Sequence, residues 1–92
     1  MSTAVSLSPR IDLSAVKDLH AAVLARRGGD LVLDAGHVTH LGALGVQLLL
    51  AATQSWRRDG HALTITPRSP AFDDALRLFG IALGDLVVER RA

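Results

Sequence analysis

Between residues 41 and 52 the chain is apolar at every position except Gln47 and two glycines, Gly42 and Gly45. Such a stretch falls well short of the roughly 18 uninterrupted apolar residues of a membrane span. Read as a helix over about residues 43–58, it is apolar nearly all round at its start, through Leu44, Val46, Leu48, Leu49, Leu50 and Ala51. Only Gln47, Gln54 and Arg58 mark an outward stripe at helical spacing. A helix of this kind has to be buried on more than one side, or else it offers an apolar surface to a partner.

The rest of the chain alternates short apolar runs with helical periodicities, the pattern of an α/β layer. Val5 and Leu7, with Ser6 between them, predict a short first strand stopped by Pro9. Ile11, Asp12 and Leu13 make either a second very short strand or the lead into a helix. Ser14 suits the N-cap of that helix, because its hydroxyl can accept from a free backbone N–H. Val16, Leu19, Val23 and Leu24 share a helical face, Lys17, Asp18 and Arg26 face away, and Gly28 and Gly29 stop the helix near Arg27. The almost continuous apolar run Leu31–Ala35 reads as a strand buried on both faces.

A turn over residues 36–41 leads into the apolar helix, and Asp59 and Gly60 turn the chain into a strand over residues 62–66 that Pro67 ends. Ser69 followed by Pro70 fills the cap and first position of another helix. Phe72, Ala75, Leu76 and Phe79 form its apolar stripe, both rings are expected against the sheet, and Gly80 closes it. Residues 83–88 make a last strand or an apolar C-terminal cover. Ninety-two residues without repeats or linkers predict one domain over residues 1–92. Its expected architecture is α/β: a single-layer, mixed, mostly parallel sheet of four to five short strands packed with three to four helices.

Composition narrows the chemistry. The absence of cysteine removes disulfides, thiolate zinc sites and cysteine nucleophiles, and fits a reducing, cytoplasmic setting. The first nine residues lack the basic start and apolar centre of a signal peptide. Ten basic against nine acidic residues leave a formal charge of +1. The arginine pairs 26–27, 57–58 and 90–91 sit at the ends of predicted elements, where cations suit helix C-termini and solubility. With two Phe, one Trp and no Tyr, stacking platforms for nucleic acid are scarce, and no nucleic-acid partner is expected.

The element order, with its nearly all-apolar second helix, resembles a STAS domain, the family of bacterial anti-sigma factor antagonists and of the cytosolic parts of sulfate transporters. Leu31-Val32-Leu33-Asp34 resembles the central strand of that family and Val38-Thr39-His40-Leu41 the turn after it. The segment from Gly42 through Gly45, Gln47 and Ala52 resembles the start and body of its second helix. Asp59-Gly60-His61-Ala62-Leu63-Thr64-Ile65 matches the next turn and strand. Ser69-Pro70-Ala71-Phe72, Leu76 and Leu78-Phe79-Gly80-Ile81 resemble the third helix and its stop. The likeness covers residues 31–83 well and the N-terminal third by pattern alone, where the family's longer first hairpin looks trimmed.

In the antagonist branch, the loop before the second helix reads Asp-Ser-Ser-Gly or Asp-Ser-Thr-Gly, and a cognate kinase phosphorylates its second hydroxyl residue. Here the four positions are Gly42, Ala43, Leu44 and Gly45. The closing glycine is kept, the acid and both hydroxyls are gone, and leucine has no atom that accepts a phosphoryl group. The resemblance therefore implies a scaffold that cannot be switched at the usual site.

Other constellations weigh less. Gly36, Gly42 and Gly45 suggest a phosphate-cradling loop, but Val46-Gln47 stands where a P-loop needs Lys-Ser or Lys-Thr. Tight turning and close helix–sheet packing explain those glycines better. Asp34, His37 and His40 lie close in sequence and could ligate zinc if they converged, yet Asp34 has an alternative role in bonding turn N–H groups. Ser14, Ser55 and Ser69 sit at capping or exposed helix positions with no base placed to activate them. Trp56 suits a partner anchor or a structural cover, with the balance toward structure.

The resemblance implies a non-catalytic, cofactor-free interaction module in a bacterial signalling or regulatory complex of chemotaxis or anti-sigma type. Leu41, Ala43, Leu44 and Gln47 would form its contact face. The expected partner is another protein, a kinase-like protein or chemotaxis regulator, with a homodimer as the rival and no direct membrane insertion. An accessory subunit of an ABC transporter is the second reading, and a small metal-dependent hydrolase using Asp34, His37 and His40 the third.

Overall fold

A computed structural model describes residues 3–89, so Arg90 and Arg91 lie outside the described residues. The elements in chain order are β1 (Thr3–Ser6), β2 (Arg10–Ile11), α1 (Leu13–Leu24), β3 (Leu31–Ala35), β4 (His40–Leu41), α2 (Ala43–Asp59), β5 (Leu63–Arg68) and α3 (Pro70–Leu78), followed by a 3-10 turn, Leu83–Leu86. The five strands divide into a three-stranded parallel sheet, β1-β3-β5, and a two-stranded parallel ladder, β2-β4.

The large sheet buries one face. Val5, Leu33 and Ile65 stand in register and all point into the core. The next row over, Ala4, Val32 and Thr64, is exposed or half-buried. The expectation that β3 is buried on both faces is therefore corrected: Leu31, Leu33 and Ala35 are inside, while Val32 and Asp34 are only half covered. The period-2 alternation Leu63-Thr64-Ile65-Thr66 in β5 already carries this one-sided pattern. β5 also runs on through Pro67 to Arg68, past its expected stop, with a register shift that pairs Ala35 with Arg68.

Two of the three helices, α1 and α3, begin on side-chain caps. α1 is capped by Asp12, whose carboxylate accepts from the Ala15 N–H at 3.3 Å, and not by Ser14, whose hydroxyl instead donates to that carboxylate. An ionised carboxylate is the stronger acceptor, and two residues earlier in the chain it has the reach to the first turn. The bond to Ala15 lowers the Asp12 pKa from its ordinary 3.8, so this cap is present above that range and is lost as the pH falls through the lowered value. α3 starts as its sequence dictates, with Ser69 Oγ accepting from the Phe72 N–H at 3.1 Å and donating to the Val38 carbonyl at 2.5 Å.

Two apolar expectations are corrected at helix ends. Leu24, last residue of α1, is 49% exposed, because the buried line runs through Leu19 and Val23 and the next position turns away. The helix also ends there rather than near Arg27. Phe79 falls at the C-cap of α3 and is 41% exposed, whereas Phe72 and Leu76 are enclosed. Residues 83–88 give the 3-10 turn plus one antiparallel bridge from Val88 to Leu63, with bonds of 2.9 and 2.8 Å. Trp56 is structural: 2% exposed, with its indole Nε1 donating to the Gly29 carbonyl at 2.9 Å.

Phe72→Ala should therefore cost about 3–5 kcal/mol, as expected for truncating an enclosed ring. Phe79→Ala should cost roughly 1 kcal/mol or less. Urea unfolding of the two variants side by side checks the difference.

Candidate functional site

The start of α2 is set by the small ladder. Ile11 pairs with Leu41 and Arg10 with His40, so the chain leaves β2 and β4 at the same level, in the same direction. Around it the Pro9 carbonyl accepts from the N–H groups of Thr39 (2.7 Å) and His40 (3.1 Å) and from the Thr39 hydroxyl (3.0 Å). The Gly42 N–H donates to the Ile11 carbonyl at 3.2 Å. One turn on, Gly45 lies flat against this ladder. A Cβ there would stand 2.7 Å from Ile11 Cγ2 and 2.8 Å from Leu41 Cδ1, closer than carbon atoms approach. The glycine is what lets α2 sit on β2 and β4.

From that seat α2 sorts its residues into two faces. Gly45, Val46, Leu49, Ala52, Thr53 and Trp56 are buried, at the spacing of one helical face. Thr53 is the polar member, and its hydroxyl is satisfied by the Leu49 carbonyl at 2.8 Å. On the other side Ala43, Leu44, Gln47, Ala51 and Gln54 are exposed and Leu48 is half-buried. Leu44 is 47% exposed, so its side chain points outward. Of the four residues expected to form the contact face, Ala43, Leu44 and Gln47 lie on it. Leu41 does not: at 3% exposure it is core, and it supports the helix from beneath.

Sequence reading missed two neighbours. Leu48 and Ala51 continue from Leu44 at i+4 and i+7, a spacing that could have revealed them had the run not looked apolar all round. The first turn of α2 carries no acid, and its N-cap, Gly42, makes no side-chain bond. Its free N–H groups and outward leucine form an apolar, weakly electropositive end.

The residues considered for catalysis do not assemble. Asp34 Oδ1 accepts from the Gly36 N–H at 2.9 Å, closing the turn, while His37 and His40 are exposed. Among the described residues no group of three His, Asp or Glu side chains could hold a metal ion. Gly36 has a packing role, since a Cβ there would lie 3.0 Å from Pro67 Cγ. No helix among the described residues is long and apolar enough to cross a membrane.

The family model described as Mlab, STAS domain matches residues 1–88 of the chain. No curated protein matches it.

Gly45→Val should destabilise the protein by on the order of 2 kcal/mol, because the new Cβ alone would overlap the buried Ile11 and Leu41. Thermal unfolding measures this, and a variant as stable as the parent would show that α2 is free to shift on its seat.

Proposed function

The chain belongs to the STAS domain family, and from that premise we propose that it is a non-catalytic protein-interaction module whose docking face is the outer side of the first turns of α2. The observation that carries this reading is Leu44, 47% exposed at the position where, by resemblance, switchable members of the family hold their acceptor hydroxyl. Ala43, Gln47, Leu48 and Ala51 extend the face along the helix. Exposed leucines in this arrangement suit a partner that covers them.

Residues 41–50 contain no hydroxyl, so association at this face is constitutive or gated by the partner. The setting we propose is a bacterial signalling or regulatory complex of chemotaxis or anti-sigma type, in the cytoplasm, with a kinase-like protein or chemotaxis regulator as the partner. A permanent place as accessory subunit of an ABC transporter is the second reading. It is favoured by the same feature, because a resident subunit has no use for a reversible acceptor. Pull-down from the native host separates them: the second requires an ATPase and a membrane complex to co-purify.

Leu44→Asp should leave the melting curve nearly unchanged, since the side chain is outward and a carboxylate is tolerated at a helix N-terminus. Loss of one buried leucine contact, about 1.5–3 kcal/mol, weakens partner binding roughly tenfold to a hundredfold. Preserved melting with preserved capture of the same partner would defeat the docking face. Incubation with a family kinase and ATP should place no label within residues 41–50, as peptide mapping can verify.

A further inference from the structure

The two edges of the large sheet are finished differently. Parallel pairing aims the backbone groups of alternate residues to opposite sides of a strand. At the start of β5 the Leu31 N–H donates to the Ala62 carbonyl at 3.0 Å, so Leu63 and Ile65 face away from β3. That edge is closed. Leu63 exchanges two bonds with Val88, at 2.9 and 2.8 Å, and the Ile65 carbonyl accepts from Arg68 Nη1 at 3.0 Å.

The β1 edge is open. The Leu7 N–H donates to the Asp34 carbonyl at 2.9 Å, which fixes Val5 and Leu7 as residues that bond β3. Ala4 and Ser6 therefore turn their N–H and C=O groups outward. Both residues are exposed, and among the described residues neither hydrogen-bonds a group across that edge. Nor is the edge blunted: Thr3–Ser6 holds no charge and no proline, and its register runs from Thr3 with Leu31 to Ser6 with Asp34 without a bulge.

We propose that β1 pairs with β1 of a second copy of this chain, antiparallel about a two-fold axis at Val5, and so joins two three-stranded sheets edge to edge. Unpaired backbone groups in a row select another strand, and this row is complementary to itself. In that register Ala4 stands opposite Ser6 of the second copy, and Ser6 opposite its Ala4. Each of these pairs exchanges two N–H to carbonyl bonds. The facing side chains are small and uncharged, so identical strands meet without repulsion. Val5, which points into the core, meets Val5 of the second copy on the core face. The strand carries neither a charge nor a large side chain that would select a foreign sequence in its place. The contact uses nothing of α2 and is independent of the docking face at Leu44. At four residues a strand it is a weak one.

Sedimentation equilibrium of the full chain tests this. The average mass should rise from that of one chain, 9.7 kDa, toward twice that value as the concentration approaches about 1 mM, the range of a weak contact. Ala4→Lys combined with Ser6→Lys sets like charges opposite each other and should weaken association about tenfold or more. Ser6→Pro removes one outward N–H and none of the bonds to β3, and should act in the same direction. Both variants should melt close to the parent in dilute solution, and Leu44→Asp should associate as the parent does. In the unaltered chain, amide exchange at Ala4 and Ser6 should slow as the concentration rises. A mass that stays at one chain, a dimer that survives the lysine and proline changes, a dimer abolished by Leu44→Asp, or exchange at Ala4 and Ser6 that ignores concentration would each overturn the proposal.

Discussion

The contact of Gly45 with Ile11 and Leu41 is the point on which the rest of the molecule is hung. β2 and β4 are two residues each, too short to persist as an isolated ladder, and the hydrogen bonds between them are few. They hold because α2 lies directly on them, and α2 can lie there only because Gly45 has no side chain. Once that seat is fixed, α1 and α2 start at one level and run alongside each other. Leu49, Ala52 and Trp56 then reach the core, and the indole closes the far end on Gly29. The glycine that ends the family's loop motif thus has a structural duty separate from any modification of the residue before it.

A helix seated at its first turns and pinned by a tryptophan near its last cannot rotate, so its outer face follows from its inner one. The spacing that buries Val46 and Leu49 turns Leu44, Leu48 and Ala51 outward. α2 therefore does both things its sequence allowed: it is buried along one side and presents an apolar strip along another. The strip is modest, with Leu48 partly sheltered and Gln47 and Gln54 interleaved, which suits a chain that folds before it meets a partner.

Legibility followed burial and local chemistry. Ser69-Pro70 announced the start of α3 because cap and first turn are set by neighbours in sequence, and Phe72 and Leu76 were plain because two residues four apart need one face only. Leu24 and Phe79 misled because helical periodicity assumes that the helix continues, and both stand where it ends. Asp12 was passed over for Ser14 because two candidate acceptors stood within one turn and the choice depended on where Ile11 left its ladder. Of the candidate face, Leu44 and Gln47 could be read from the helix alone. Leu41 could not, since its burial is decided by Gly45 pressing on it from above.

The two ends of α2 differ in the kind of force they can exert. At Leu44 the available free energy is that of removing apolar surface from water, which does not weaken as ions are added and is insensitive to pH. At Arg57 and Arg58 it is Coulombic and exposed, so it is screened within about 8–10 Å at physiological ionic strength. A partner gripping only the first end would be captured equally well in dilute and concentrated salt. One gripping only the second would be released by salt, and one spanning both would keep a salt-resistant remainder. Because roughly 20 Å of rigid helix separates Leu44 from Arg57, a single partner must be at least that long to use both. The salt profile of binding therefore reports which end is occupied, and the residual affinity at high salt reports whether Leu44 is part of the contact.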